Sequence, residues 1–377
     1  MKTNTVKANA GTVALAADRP VLNETLLVGL DLGTNTSCVM ATPSSETDSM
    51  IRELIPTVVG YANGDVLNGI LPREAKVLFG RLALKHRQNL RLVRPMKGGV
   101  IEDQQAARLF AGHLFEVLNQ ANRQEVRAVI GMPASSDLLA RENARLAFRG
   151  IFTKVLFVPE PFLAAIGYRD DSRISDANYQ DPVLNSLYID IGAGSTDVCL
   201  VQGHYPTGED QLSVPFAGDA VDQIILDRIL AEYPDCGLTL SRIRDLKEKH
   251  SWVLAEDGVT PAIATVMVGG KTRKLDVTQQ VGAGCNALLQ KVFELTRDLI
   301  TRAEPETVTE LLQNVIVTGG GSLIKGFGIA LQTKLIEEGF ESPRVQVLGD
   351  NYKDFVALGA LKTARRARED QWQTLLR

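Results

Sequence analysis

Two segments of the chain share one pattern, in which a short apolar run ends in a small polar turn and a second apolar run follows. The first run is LLVGLD at 26–31, and it resumes as SCVMA after the turn. The second run is LYIDI at 187–191, and it resumes as TDVCLV. Two apolar runs joined by a Gly-containing turn are typical of a β-hairpin. We therefore predict one hairpin at each position.

The rest of the chain alternates between strand-like and helix-like segments. β-Branched enrichment with following turn residues predicts further strands at 126–131, 154–158, 314–318 and 344–348. Apolar residues at helical spacing predict helices at 102–120, 138–149, 161–169, 219–232, 285–302 and 355–367. Strands that alternate with helices form layered folds, so we expect an α/β protein.

Two stretches interrupt this alternation, and each follows one of the predicted hairpins. Glycines, prolines and basic residues are scattered through 52–97, and the stretch 205–276 is similarly irregular. The chain therefore resembles two related halves, each with a smaller inserted subdomain. Residues 170–186 are polar and contain proline, which predicts a surface connection between the halves.

Composition narrows the function classes. The 377 residues are 45% apolar and 23% charged, which indicates a soluble protein of about two domains. The net charge is −4 and the basic residues are dispersed, so we predict no nucleic-acid partner. The apolar runs fall short of the roughly 18 residues of a membrane span. Residues 1–25 are expected to form a flexible tail without an amphipathic helix, so we predict no direct membrane binding.

The two predicted hairpins carry nearly the same phrase, DLGTNTSCV at 31–39 and DIGAGSTDV at 190–198. Small residues at a turn let another group approach the backbone, and successive N–H groups there can bind an anion. The turn residues are Gly33, Thr34 and Asn35 in the first copy and Gly192, Ala193 and Gly194 in the second. Ordinary tight turns have similar compositions. The recurrence in a matching context favours two hairpins that bind a polyphosphate from both sides.

Hydroxyls and carboxylates flank both turns. Thr36, Ser37, Ser195 and Thr196 offer neutral donors to phosphate oxygens. Asp31 and Asp190 can hold Mg²⁺ through its water shell.

Two further motifs complete the candidate site. Gly319, Gly320 and Gly321 follow a predicted strand, where their lack of side chains suits a flat base or sugar, although strand-to-helix turns favour glycine anyway. Glu160 lies between Pro159 and Pro161 at the start of a predicted helix. A carboxylate fixed there can orient an attacking water, and its alternative role is to complement the helix dipole.

These motifs, in this order, resemble those of the actin, Hsp70 and sugar-kinase ATPase superfamily. DLGTNTSCV and DIGAGSTDV are similar to its two phosphate motifs, PEPFLAAIG and FVALGALKTA to its connecting helices, and VIVTGGGSLIKG to its adenosine motif. Within the superfamily, the chain most resembles the bacterial actins of the magnetosome-associated MamK type and then those of the MreB type. The stretches that carry this likeness are VVGYANGDVL, FGRLALKHRQNLRLVRPMKGGVI, VIGMPA, LKEKHSWV and LLQNVIVTGGGSLIKG.

The resemblance implies a two-lobed actin-like fold, duplicated and ribonuclease H-like, with four subdomains around a nucleotide cleft. The expected limits are 26–52, 98–170 and 346–377 for subdomain IA, 53–97 for IB, 187–212 and 275–345 for IIA, and 213–274 for IIB.

The resemblance also assigns roles to residues. Asp31 and Asp190 would organise Mg²⁺, and both turns would bind the phosphates of ATP. Glu160 would position the hydrolytic water with help from Thr196, and Asp190 would share in catalysis. Lys247 and the three glycines at 319–321 would contact the nucleoside. MreB-type actins usually carry a glutamate where this chain has Arg244, which makes nucleoside contact differ there.

The implied function is a cytoplasmic actin-like ATPase that polymerises head-to-tail with ATP and turns over on hydrolysis. Its expected partners are further copies of itself and cargo or adaptor proteins, with magnetosomes or a similar cargo as the object organised. A filament that determines cell shape is the alternative. A small-molecule kinase and an Hsp70-like chaperone share the superfamily core, but the sequence shows no sugar-pocket motif and no peptide-binding domain.

Overall fold

We describe the protein from a computed structural model, in the residue range 24–375 without 47–49, 120, 122, 124, 135, 255–258, 269 and 350. The predicted N-terminal tail lies outside these residues except for Glu24 and Thr25. The strands are β1 (Leu26–Asp31), β2 (Thr36–Pro43), β3 (Ile51–Pro56), β4 (Val59–Ala62), β5 (Val77–Phe79), β6 (Leu90–Val93), β7 (Met96–Lys97), β8 (Val100–Ile101), β9 (Val126–Met132), β10 (Lys154–Pro159), β11 (Ser186–Ile191), β12 (Thr196–Val201), β13 (Gln211–Val214), β14 (Ile263–Val268), β15 (Lys271–Asp276), β16 (Val315–Thr318), β17 (Val345–Val347) and β18 (Gln373–Thr374).

The helices alternate with these strands. They are α1 (Gly80–Lys85), α2 (Gln104–Leu118), α3 (Leu138–Phe148), α4 (Glu160–Tyr168), α5 (Gly218–Glu232), α6 (Leu240–His250), α7 (Thr278–Ile300), α8 (Pro305–Leu312), α9 (Phe327–Glu337) and α10 (Tyr352–Arg366). The described helices do not include one with the length and apolar character that a membrane span requires.

Two large sheets repeat one topology. The first sheet has the order β18-β10-β9-β1-β2-β3, and the second has the order β13-β12-β11-β16-β17. In the first, β1 pairs in parallel with β9 and antiparallel with β2. In the second, β11 pairs in parallel with β16 and antiparallel with β12. Each predicted hairpin is therefore the centre of its own sheet, and we name the two halves the first and second lobes.

Helices α4 and α10 lie between the two sheets. Their buried side chains form one apolar cluster with residues of both sheets, including Val129, Tyr188 and Ile316. The helices approach closely at glycine, since a β-carbon on Gly167 would lie 1.9 Å from the Phe355 carbonyl oxygen. This packing fixes the position of α4, which begins at Glu160.

Smaller sheets occupy the two irregular stretches. Strands β4, β5 and β6 form a three-stranded sheet with its own apolar cluster, which includes Val58, Leu78 and Leu90. Strands β14 and β15 form a hairpin whose buried residues join the core of the second lobe. The subdomain limits given above remain a prediction.

The predicted elements are confirmed, most of them within three residues of the observed ends. Helix α7 is the exception, because it begins at Thr278, seven residues before the predicted start. Two glycines weaken the helical pattern there, and both are packing sites. A β-carbon on Gly282 would lie 2.5 Å from the Trp252 ring, and one on Gly284 would lie 2.7 Å from Ile225.

Candidate functional site

The turns of the two central hairpins contact each other. We call residues 32–35, between β1 and β2, the first turn, and residues 192–195, between β11 and β12, the second turn. A β-carbon on Gly194 would lie 2.5 Å from Thr34 Oγ1 and 2.9 Å from the Gly98 backbone nitrogen. Only a residue without a side chain fits between them. The two copies of the repeated phrase therefore meet where the lobes face each other.

The first turn is held by residues that follow it in the chain. The Thr57 hydroxyl donates to the Gly33 carbonyl oxygen at 2.7 Å, and the Thr57 N–H donates to the Asn35 carbonyl oxygen at 3.0 Å. The Gly99 N–H donates to Thr34 Oγ1 at 3.2 Å. Two backbone carbonyls of the turn are thus already paired, which fixes its conformation.

The second turn is held by the start of α5. Its own closing bond runs from the Gly192 N–H to the Ser195 carbonyl oxygen at 2.9 Å. The Gly218 N–H donates to the Gly192 carbonyl oxygen at 3.1 Å, and the Asp219 N–H donates to the Ala193 carbonyl oxygen at 2.7 Å. The second turn and α5 therefore form one rigid unit.

Four acidic side chains gather at the bases of the turns, and we call Asp31, Glu160, Asp190 and Asp197 the acidic cluster. Burial raises the pKa of Asp31 to about 7. Burial, with the charges of Asp31 and Asp197, raises the pKa of Asp190 to about 8. Burial, then the charges of the other three acids, raises the pKa of Glu160 well above its ordinary range. A cation beside Asp31 and Asp190 would offset the mutual repulsion of these charges.

Asp197 connects the lobes directly. Its Oδ1 atom accepts a hydrogen bond from the Ala134 N–H of the first lobe at 2.8 Å, and its Oδ2 atom accepts one from the Ser195 hydroxyl at 2.8 Å. Burial raises the pKa of Asp197, and the hydrogen bonds from Ala134, Ser213 and Ser195 oppose that rise. The carboxylate thus carries both a structural bond across the cleft and part of the cluster's charge.

The three glycines at 319–321 line the cleft next to the acidic cluster. A β-carbon on Gly319 would lie 2.4 Å from Asp190 Oδ1, and the φ angle of Gly319 is +82°. A β-carbon on Gly321 would lie 2.2 Å from the Ile191 side chain, and one on Gly320 would lie 3.3 Å from the Tyr352 hydroxyl. We call these three glycines the glycine wall; side chains do not fit at Gly319 and Gly321.

Lys247 reaches the start of α5, beside the second turn, from α6. Its Nζ atom lies 2.8 Å from Asp222 Oδ1 and donates to the Gly218 carbonyl oxygen at 2.6 Å. Arg244, one turn earlier on the helix, also pairs with Asp222, at 3.0 Å. Asp222 is buried, and the two basic residues balance its charge.

Thr196 lies at the start of β12, and its hydroxyl already has one hydrogen-bond partner. Its side chain is buried and its hydroxyl donates to the Phe216 carbonyl oxygen at 2.7 Å. The hydroxyl proton is thus committed, and the oxygen can only accept a further hydrogen bond.

The donor set suits a cation that is only partly coordinated by protein. In the described part of the chain, no three His, Cys, Asp or Glu side chains converge as a metal-binding group. Mg²⁺ is commonly held by one or two carboxylates together with water and substrate phosphates. Asp31 and Asp190, one at the base of each turn, fit that arrangement.

Comparison with known proteins places the chain in a family. The sequence profile of the family described as MreB/Mbl protein matches residues 25–370. The chain belongs to the MreB/Mbl family. It is 29% identical over 357 residues to the actin-like protein MamK of Paramagnetospirillum magneticum, which covers 93% of this chain and 95% of the relative. It is 25% identical over 342 residues to the cell shape-determining protein Mbl of Bacillus subtilis, covering 88% of this chain and 93% of Mbl.

Solved structures agree with this family. A chain of the MamK double helical filament is 28% identical and superposes with a TM-score of 0.79, covering 91% of this chain and all of that one. MreB5 of Spiroplasma citri bound to ADP shares 21% identity and a TM-score of 0.70, covering 90% of this chain and 96% of its own, and therefore supports the fold alone. The predicted actin-like fold and the resemblance to MamK and then MreB are confirmed.

Several site residues of this MreB/Mbl-family chain could not be found from local pattern. Thr57 lies outside the quoted motifs, Gly99 and Ala134 lie in stretches that carried the family likeness but no assigned role, and Asp222 lies in the second turn of α5. The sequence signal for Arg244 was its departure from the family pattern. Asp197 was visible as the extra acid of the second copy of the phrase, but its bond to the first lobe depends on tertiary packing.

Proposed function

We propose that this MreB/Mbl-family chain is a Mg²⁺-dependent actin-like ATPase that assembles head-to-tail into cytoplasmic filaments and disassembles after hydrolysis. The observation that carries the proposal is the contact between the two turns directly above the acidic cluster. A polyphosphate bound there would meet backbone N–H groups from both lobes, so its binding would join them.

The acidic cluster supplies the chemistry in this proposal. Asp31 and Asp190 would hold Mg²⁺ through its water shell, and Mg²⁺ bound there would neutralise charge on the phosphates. The turn residues at 33–35 and 192–194 would bind the phosphates, and Lys247 with the glycines at 319–321 would contact the nucleoside.

Glu160 would orient the attacking water and accept its proton. Burial and the neighbouring acids raise the pKa of Glu160, so a bound cation that favours its carboxylate form would be needed for it to act as a base. Helix α4 begins at Glu160 and is packed between the sheets, so the carboxylate is held in one place. Thr196 could assist only by accepting a hydrogen bond, since its proton is donated to Phe216.

The relatives support assembly. One solved structure is the MamK double helical filament, and another is a non-polymerising MamK mutant bound to AMPPNP. We propose that this chain likewise has further copies of itself as its main partner, with cargo or adaptor proteins on the filament surface. The similarity to the MamK proteins favours magnetosomes or a similar cargo, and the similarity to Mbl and MreB favours cell shape as the second candidate.

Sedimentation and electron microscopy of the purified full chain test the proposal. We expect pelleted filaments with Mg²⁺ and ATP or a non-hydrolysable analogue, and far fewer with ADP. A kinase control measures phosphate transfer to sugars, which should be undetectable. Monomers under every nucleotide condition would contradict the proposal.

A further inference from the structure

Two arginines from different lobes meet at the first turn. Arg94 follows β6 of the small three-stranded sheet, and its Nη1 atom donates to Asn35 Oδ1 at 2.6 Å. Arg244 lies on α6 of the second lobe, and its Nη1 atom donates to the same oxygen at 3.3 Å. One neutral amide oxygen therefore receives two guanidinium groups. We call Arg94 and Arg244 the arginine pair.

The pair carries an excess of positive charge. Arg244 is balanced by Asp219 at 2.7 Å and by Asp222 at 3.0 Å, but Asp222 is also paired with Lys247. Among the described residues, Arg94 makes no ion pair with a carboxylate, and its hydrogen bond to Asn35 is to a neutral group. The local set thus holds three cations against two anions.

This arrangement is electrostatically unfavourable until an anion arrives. Burial, and then the charge of Arg244, lower the pKa of Arg94, while Asp219 raises it. A guanidinium group binds phosphate through parallel charge-assisted hydrogen bonds, which are about twice as strong as neutral ones. Replacing the amide oxygen of Asn35 by a phosphate oxygen would therefore relieve the repulsion and strengthen both bonds.

The choice of phosphate follows from the nucleoside position proposed above. The glycine wall at 319–321 and Lys247 belong to the second lobe, where the nucleoside is proposed to lie. Asn35 and Arg94 belong to the opposite lobe. A nucleotide held by its nucleoside in the second lobe would bring the distal end of its phosphate chain to the first turn.

We propose that Arg94 binds the terminal phosphate of a nucleoside triphosphate, with Arg244 alongside it. This inference rests on the proposed ATPase function and deepens it by making Arg94 the residue that distinguishes a triphosphate from a diphosphate. Arg94 adjoins the small sheet, so binding the terminal phosphate would also hold that sheet against the second lobe.

Equilibrium binding of Mg-ATP and Mg-ADP to the full chain tests the inference. We expect Arg94→Gln to weaken ATP binding at least tenfold and ADP binding less than threefold, so that the preference for ATP falls. Arg94→Lys keeps the charge but loses the planar donor pair, and should weaken ATP binding by an intermediate factor. Arg91→Gln is the matched control, because Arg91 lies on β6, just before Arg94, and stacks over Tyr61 instead.

The outcomes separate this inference from the function on which it rests. Wild-type protein that binds neither nucleotide would contradict both. Wild-type binding with an unchanged ATP preference in Arg94→Gln would overturn the role of Arg94 alone. An equal loss of ATP and ADP affinity would also overturn it, since Arg94 would then act on the cleft as a whole.

Discussion

The first turn receives its hydrogen bonds from several other parts of the chain, whereas the second turn is held by its own lobe. Thr57, Arg94, Gly99 and Arg244 all contact the first turn from outside its hairpin. The second turn is closed on itself and fixed to the start of α5. Two similar sequence motifs thus have different mechanical roles.

This difference indicates how the cleft can respond to a ligand. The second turn offers a fixed set of N–H groups and places Asp197 against the first lobe. The first turn connects the small sheet, the first lobe and α6, so a conformational change of this turn would displace all three. Under the proposed function, the second turn would position the phosphates and the first turn would transmit their presence to these three elements.

Titration of the two acids at the bases of the turns is expected to give the largest effect. An acid whose pKa is raised by folding stabilises the folded state at low pH, and that stabilisation is lost as the pH rises from its unfolded value of 3.8 through its folded value. The folded values are about 7 for Asp31 and about 8 for Asp190. Without Mg²⁺ and nucleotide, the free energy of unfolding should therefore fall between pH 4 and 8, by several kcal/mol at about 1.4 kcal/mol per pKa unit.

Single substitutions separate the contributions of Asp31 and Asp190 to this pH dependence. Asp190→Asn should flatten the pH dependence more than Asp31→Asn, as measured by urea unfolding at a series of pH values. The Asn variants should be more stable than wild type at pH 8 and lose that advantage at pH 5. Parallel curves for wild type and both variants would show that neither acid is buried in its charged form.

Disrupting the contact between the two turns is expected to give the next largest effect. Gly194→Ala would force a β-carbon against Thr34 and Gly98, separating the turns. A displacement on the order of 1 Å at such a site can cost about 100-fold in rate, and we expect a loss of that size in kcat/KM for ATP hydrolysis. Gly208→Ala is the control, because a β-carbon at Gly208 has open space. Equal activity of the two variants would argue against contact between the turns.

The bond from Asp197 to the first lobe should have a smaller, local effect. Asp197→Ala leaves the Ala134 N–H without its partner, which costs about 1–3 kcal/mol for a buried group. We expect hydrogen exchange of the Ala134 amide to accelerate at least tenfold while that of Ala128, within β9, stays slow. Unchanged exchange at Ala134 would exclude Asp197 as a connection between the lobes.

Loss of the side-chain hydrogen bonds of Thr57, which support the first turn, should give the smallest effect. Thr57→Val removes the hydrogen bonds to Gly33 and Ser37, and we expect the free energy of unfolding to fall by about 1 kcal/mol. Thr333→Val, on an exposed face of α9, is the comparison and should change stability by less. A Thr57→Val protein as stable as wild type would show that the first turn does not need this support.

The sequence predicted the elements whose information is local. Residues close together in the chain determine each hairpin, the three glycines at 319–321 and the helix that begins at Glu160. The order of these motifs was enough to predict the fold and to single out the acids at 31, 160 and 190. The short strands β4, β5 and β6 were not predicted, because three or four residues among glycines and basic side chains give little periodicity. Helix α6 was not predicted, although Lys247, which lies on it, was given as a candidate nucleoside contact.

The network around Asn35 could not have been predicted in the same way. Arg94, Arg244 and Asn35 lie in segments that are far apart in the chain, and only the packing of the two lobes brings them to one oxygen atom. Arg244 was recognised as a departure from the family pattern, but its partners Asp219 and Asp222 depend on how α5 and α6 pack.

The central claim is that ATP bound against the two turns is hydrolysed at the acidic cluster, and Glu160→Gln tests it most directly. The substitution keeps the shape of the side chain and removes its ability to accept a proton. Phosphate release and sedimentation should be measured on the same sample with Mg²⁺ and ATP. We predict that phosphate release falls at least about 100-fold, the scale of general-base catalysis, while filaments still form and persist. Wild-type phosphate release by Glu160→Gln filaments would contradict the account.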